Sequence, residues 1–350
     1  MQLSDLERYD YVLPPELIRK KGVEPRDSAR LFVYDTRTDT TTFDTFANIA
    51  RYLPESALMV LNDTRVLPAR LWLNKETGGK IEVFVLANEI ENEERIPVLV
   101  DRKTTIGQKL FFPNQDFFEV IDQNEQIFFV KLQSLSQQSL FSLLETYGKT
   151  PLPHYLEGAA TEEEELRKRY QTVFAQAGAS VAAPTASLHF TDAVFRSLEA
   201  RHIRQARLTL NVGLGTFAPL REENFTTERL HTEFASISQA TALAINTARS
   251  AGQPIISVGT TTTRTLEAFT SQGVVHSGQG KTDIFIFPPY HFHIVDHLVT
   301  NFHLPKTSLL LLVDAFLEQK KAKRRVMELY QIAIEQRFAF YSFGDSLLIL

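Results

Sequence analysis

From Leu61 to about Leu132 the apolar positions carry no helical period and fall in short runs separated by polar turns. Leu71-Trp72-Leu73 and the run Lys80 to Leu86 flank Thr77-Gly78-Gly79. Two β-rich runs around a glycine pair predict a hairpin. Further β-rich runs follow at Ile96 to Val100, Lys109 to Phe112, Phe117 to Ile121 and Ile127 to Leu132. Many short strands with polar turns predict a small all-β barrel-like or sandwich unit. From about residue 150 the texture changes to alternating helices and strands. Helical spacing and caps predict helices over Glu163 to Gln176, from Thr191 to about Arg201, and over Ser238 to Ser250, Thr260 to Phe269, Lys306 to Gln319 and Ala322 to Arg337. Arg207 to Val212, Pro254 to Val258 and Asp283 to Phe287 read as strands. Such alternation predicts an α/β fold with a mixed sheet. The expected organisation is a discontinuous α/β domain, residues 1–61 with 150–350, interrupted by an inserted all-β barrel-like domain over 62–149.

Composition narrows the chemistry. With 43% hydrophobic and 23% charged residues, the 350-residue chain can bury a substantial core. No apolar run reaches the roughly 18 to 20 residues of a membrane span, and no basic flank precedes an apolar stretch at the start. Cysteine is absent, which removes disulfides, thiolate nucleophiles and cysteine metal sites together. A cytoplasmic location is therefore expected. The formal net charge of −5 argues against a nonspecific nucleic-acid coat. Basic clusters at Arg19-Lys20-Lys21 and over Lys320 to Arg325 nevertheless offer local surfaces to a folded RNA, beside their plainer reading as solvated faces.

Several segments place polar side chains where strands end. In Ile255 to Glu267 a buried strand meets Gly259, and Thr260 and Thr261 then open a helix carrying Arg264. Free N–H groups at such a start suit a carboxylate or phosphate, although capping by threonine alone gives the same pattern. Gly213 and Gly215 sit in a turn after a strand, but Pro219 and the polar stretch that follows argue against a dinucleotide fingerprint. Leu61 to Val66 presents Asn62, Asp63 and Arg65 at a strand end, and Ala182 to Phe190 carries Thr185 and His189 in a loop of small residues. His303 lies in a polar loop, Asn301 to Lys306, between a strand and an apolar helix, a position that suits an acid–base group. His291 and His293 would share one face of a strand near His297, but no glutamate accompanies them in a hydrolase pattern, so no metal is expected.

Taken together, these segments resemble one family, the S-adenosylmethionine:tRNA ribosyltransferase-isomerases of queuosine biosynthesis. The likeness rests on Leu13-Pro14, Arg26-Asp27, Val60 to Arg70, Gly78 to Val83, Arg169 to Ala175, Val181 to Thr191, Gly213 to Phe217, Gly259 to Glu267, Thr282 to Phe287, Thr300 to Lys306 and Ser342 to Asp345. It runs the length of the chain. Ser187 stands where the family usually has glycine, Asn211 where it has histidine, and Lys20, Lys281 and Pro289 also depart from the pattern. The resemblance implies transfer and isomerisation of the ribosyl part of S-adenosylmethionine onto 7-aminomethyl-7-deazaguanine at the wobble position of tRNA. It implies no cofactor, since S-adenosylmethionine is consumed, and its partners are tRNA and S-adenosylmethionine; a monomer is expected. The acid–base candidates are His303 and His189, followed by Asp283 and Asp345. Asn62, Asp63, Arg65, Thr185, Gly213, Gly215, Gly259, Thr260, Thr261, Arg264, Asn301 and Lys306 are the candidates for substrate binding.

Overall fold

The computed structural model describes residues 1–156, 162–213 and 218–350. The first half of the chain contributes β1 (Arg30–Asp35), β2 (Thr40–Thr45), β3 (Leu58–Asn62), β4 (Thr64–Val66), β5 (Arg70–Lys75) and β6 (Lys80–Val85). It continues with β7 (Ile96–Val100), β8 (Lys109–Phe111), β9 (Phe117–Asn124), β10 (Ile127–Gln133) and helix α1 (Leu140–Tyr147). The second half begins with α2 (Glu163–Arg169), β11 (Ala177–Ser180), α3 (Asp192–Glu199), β12 (Arg204–Leu210), α4 (Glu222–Thr227) and β13 (Arg229–Ile237). Then come α5 (Gln239–Ser250), β14 (Ile255–Val258), α6 (Thr260–Ala268), the short pair β15 (Thr270–Ser271) and β16 (Val274–Val275), and β17 (Gly278–Ile284). β18 (His297–Asn301), α7 (Ser308–Gln319), α8 (Val326–Glu335) and β19 (Ser346–Ile349) complete the chain.

Nine strands form one mixed sheet in the order β17-β13-β12-β3-β14-β18-β19-β1-β2. Its middle is parallel, β12 to β3 to β14 to β18, with antiparallel pairings toward both sides. β3 and β14 are buried along their whole length, as continuous apolar strands between two layers must be. One face carries α5 to α8 over a core that includes Ile245, Leu266, Leu312, Phe316 and Tyr330. The other packs Phe46, Ile49, Val194 and Leu198. Local chemistry starts these helices: Thr191 Oγ1 accepts from Val194 N at 3.3 Å, and Ser238 Oγ from Thr241 N at 3.1 Å. Each such cap is worth ~1 kcal/mol.

The remaining strands close into a six-stranded barrel in the order β10-β7-β6-β5-β8-β9. Inward positions Leu71, Leu73, Ile81, Val83, Val98, Leu110, Phe118 and Val130 fill it, with Leu140, Leu143 and Leu144 of α1 packed on that core. No residue before Leu67 belongs to it. Trp72 lies on the outer face, half exposed. The chain crosses into the barrel later than residue 62, because Asn62 ends β3 in the large sheet and β4 pairs with β11. At the neck Arg70 and Lys149 exchange two backbone hydrogen bonds, Arg70 N to Lys149 O at 3.2 Å and Lys149 N to Arg70 O at 2.7 Å. No helix is long and apolar enough to cross a membrane among the described residues.

Three expected elements differ. The helix expected over Glu163 to Gln176 stops at Arg169, where the Arg26 guanidinium donates to the carbonyl of Lys168, one of its last acceptors, and to that of Gln171 just beyond its end. The strand expected over Asp283 to Phe287 runs instead from Gly278 to Ile284, held by the register of its neighbour β13, and Pro288 and Pro289 follow it closely. His291 and His293 lie in irregular chain rather than on a strand.

Candidate active site

The parallel strands β3, β14 and β18 all point their carboxyl ends at one edge of the sheet, where ligands of open α/β sheets bind. A cavity of about 660 Å³, counting its open mouth, lies along that edge. Gly259, Thr260 and Thr261 bound it where β14 turns into α6, and Thr300, Asn301 and His303 where β18 ends. Thr185 and Ala186 form a wall of short side chains, and Tyr155 and Tyr341 bring two rings from distant parts of the chain.

Gly259 has φ +88°, a left-handed conformation that side chains rarely adopt, and this lets the chain turn directly from strand to helix. No side chain caps the start of α6. Asn62 secures that start from β3: its amide donates to Leu210 O at 3.1 Å and Thr261 Oγ1 at 3.3 Å, and its oxygen accepts from Leu210 N and Thr64 N. Asn62 thus ties three strand ends together. Asp63 accepts from Thr209 Oγ1 at 2.7 Å, and burial raises its pKa above the usual carboxylate value.

His303 is buried, with Nε2 at 2.8 Å from Thr300 Oγ1 and its backbone held by the hydroxyls of Tyr330 and Tyr11. Desolvation pushes its pKa down to about 3. His189 is equally buried, 3.4 Å from Asn301 Oδ1, and burial lowers it to about 4 against the opposing pull of Asp345. Both imidazoles are therefore neutral at physiological pH, each with one donor and one acceptor nitrogen. Burial thus takes both well away from the ordinary imidazole value near 6.5. His189 faces a second, smaller cavity lined by Arg26 and Arg169, and Ser342 lines both cavities.

A family model described as "Queuosine biosynthesis protein" matches residues 6–349. The chain belongs to that family. It is 40% identical over 349 residues to the S-adenosylmethionine:tRNA ribosyltransferase-isomerase of Thermosipho melanesiensis, covering 100% of both chains. The enzyme of the same name from Carboxydothermus hydrogenoformans is 40% identical over 352 residues, again with 100% of both covered. The crystal structure of S-adenosylmethionine tRNA ribosyltransferase from Thermotoga maritima aligns over 98% of this chain and 99% of its own, at 32% identity and a TM-score of 0.55.

Within this family member the fold brings Thr185, Gly259, Thr260, Thr261, Asn301 and His303 to one cavity, with Asn62 bonded to its rim. Other candidates stand apart from it. Arg264 is buried in an ion pair with Glu233, Nη1 to Oε2 2.6 Å, and Gly213 N donates to the same carboxylate. Asp345 accepts from the backbone of Arg30 and Ala339 and from Arg19 Nη1, which makes it an anchor of the C-terminal strand. Asp283 pairs with Arg229 at the surface, Arg65 with Glu145, and Lys306 with Glu7 and Asp10. Gly215 lies outside the described residues. Asn211 accepts from Ala179 N and Thr64 Oγ1, so it holds β11 and β4 beside β12 rather than facing the cavity. Ser187 is buried with no partner for its hydroxyl among the described residues. No group of three or more histidine, aspartate or glutamate side chains is placed to hold a metal among the described residues. His293 instead pairs through Nδ1 with buried Glu267 at 3.1 Å. Tyr155, Tyr341, Thr300 and Ser342 were not singled out from sequence, and only Thr300 and Ser342 lay within matched segments.

Proposed function

We propose that this chain transfers and isomerises the ribosyl moiety of S-adenosylmethionine onto 7-aminomethyl-7-deazaguanine at the wobble position of tRNA. Epoxyqueuosine is left in the RNA, and adenine and methionine are released. Full-length similarity to enzymes of that name carries this reading. The cavity at the carboxyl edge of the large sheet is its S-adenosylmethionine site. The sulfonium acidifies the adjacent ribose carbon, and a positioned base removes that proton. Adenine leaves with the glycosidic electron pair and takes up a proton, the substrate amine forms the new carbon–nitrogen bond, and the ribose carbon–sulfur bond breaks to release methionine. His303 and His189, neutral and lodged around Asn301, are the acid–base candidates. S-adenosylmethionine is consumed rather than kept as a cofactor, and no metal takes part. The discontinuous α/β domain, with Asn62 at the end of β3 and the chain from about residue 150 onward, carries the chemistry, and the barrel that begins near Leu67 is a separate unit, in a cytoplasmic monomer.

Incubating the purified chain with S-adenosylmethionine and tRNA bearing the 7-aminomethyl base tests this. One adenine and one methionine should appear per modified nucleotide. Binding of both substrates without adenine release would reduce the protein to a binding module. Loss of turnover on chelation, restored by zinc, would defeat the metal-free reading. His303→Ala should lower turnover by about 10²- to 10⁴-fold, the usual worth of one acid–base group.

A further inference from the structure

We propose that S-adenosylmethionine lies extended along the sheet edge, its carboxylate on the start of α6 at Thr260 and its adenine against the Tyr155–Tyr341 wall. This orientation rests on the reading of the cavity as the S-adenosylmethionine site. At the α6 end the helix is nine residues long and uncapped, so its first N–H groups have no partner within the helix. Thr260 is only 5% exposed and lines the cavity, and its hydroxyl has no protein partner among the described residues. The hydroxyl is not sealed in the interior but opens on the cavity, and beside an uncapped helix start it offers an anionic ligand a ready donor.

The far end differs in character. Tyr155 and Tyr341 stand with ring centroids 5.1 Å apart, and the Tyr155 hydroxyl is tied to Ser342 Oγ at 2.6 Å. Leu304 and Leu309 also line the cavity, and among the described residues no lysine or arginine does. Two rings tilted 54° to one another make an apolar corner against which a purine packs and which offers a carboxylate no charge. From the end of β14, across β18, to the start of β19 is two strand spacings, roughly 10 Å. Between them sit Thr300, Asn301 and His303. The extended molecule therefore sets its sulfonium and the reacting ribose carbon beside His303. Turned end for end, it would press the carboxylate on two aromatic rings and leave the N–H groups of α6 unused.

Calorimetric binding to the intact chain tests both ends, with S-adenosylmethionine, its decarboxylated analogue and 5′-methylthioadenosine as probes. Removing the carboxylate should weaken binding to the wild type by roughly tenfold to a hundredfold, as for a lost charge-assisted hydrogen bond. Thr260→Val should bring that ratio to within about threefold of one, and Thr260→Ser should restore it. Tyr341→Leu should weaken S-adenosylmethionine and 5′-methylthioadenosine alike, by about tenfold, while the carboxylate ratio stays at the wild-type value. Should that variant not fold, Tyr155→Leu makes the same comparison, and the wild-type ratio alone decides the carboxylate end. A wild-type ratio near one, or a Thr260→Val loss that is equal for both sulfonium ligands, overturns the orientation while leaving the cavity as the site. Weakened tRNA binding in Thr260→Val, with S-adenosylmethionine unaffected, would give the helix start to a phosphate and overturn it too. If no folded variant changes S-adenosylmethionine affinity, the assignment of the cavity itself fails.

Discussion

His303, His189 and His297 share a physical condition that ties function to acid stability. Burial lowers their pKa values to about 3, about 4 and about 4, against about 6.5 in an unfolded chain. On acidification the unfolded chain therefore takes up these protons first. Their contribution to stability is whole above pH ~6.5 and is lost as pH falls toward 4. Each histidine contributes at most ~1.4 kcal/mol per pH unit across that window. Urea unfolding at pH 7.5, 6.0 and 5.0 should show a falling midpoint, with a shallower fall in His303→Asn. A midpoint independent of pH down to 5 would mean that the imidazoles are not desolvated in solution. At this scale much of the site was legible. Gly259, Thr260, Asn301 and His303 announce themselves as polar or glycine residues where apolar runs stop. Arg264 and Asp345 stand apart from the cavity, and a charged residue beside a ligand and one paired with a buried partner look alike in sequence. Only the fold brings Glu233 to Arg264.

At the scale of elements, α6 is held from two sides, by Asn62 at its start and by the Glu233–Arg264 pair one turn later, which clamps it to β13. Removing one member of a buried pair strands the other charge and costs ~3–5 kcal/mol. Arg264→Met is expected to lose stability on that order in chemical denaturation, and to lose substrate affinity only where the fold has weakened. Retention of full stability with loss of binding would return Arg264 to the list of ligand contacts. Elements whose signals are local were readable. The β5–β6 hairpin follows from its glycine turn, and α3 and α5 begin at the serine or threonine that caps them. Elements fixed by distant partners were not. β17, with two glycines and polar side chains, has little strand propensity of its own and exists because β13 offers an edge. The stop of α2 is written in Arg26, more than a hundred residues away.

Across the whole molecule, the two basic clusters occupy different situations. Lys320, Arg324 and Arg325 are engaged with Asp296 O, Asp39 and the Asp314–Glu318 pair, and Lys320 lies by Pro254 and His297, at the amino ends of β14 and β18, opposite the cavity. Lys20 and Lys21 are exposed and adjoin Gly22, which lines the smaller cavity beside His189. Reversing Lys20 and Lys21 should therefore weaken tRNA binding and reduce the slope of affinity with salt, since fewer counterions are released. Reversing Lys320 and Lys323 should leave both unchanged. The opposite ranking would move the RNA to the other edge of the sheet.

The position of Trp72 has a spectroscopic consequence. It is the chain's one tryptophan, and it stands half exposed on the outside of the barrel, whose core meets the rest of the molecule at the neck of Arg70 and Lys149 and again at Val181. Indole emission therefore reports on the barrel alone, while far-ultraviolet dichroism is dominated by the helices of the large sheet. Recorded together through a denaturant titration, the two signals give a direct measure of cooperativity between the units. Coincident curves would mean that the neck transmits unfolding in full, and an early shift of the indole band would mark the barrel as the part that melts first.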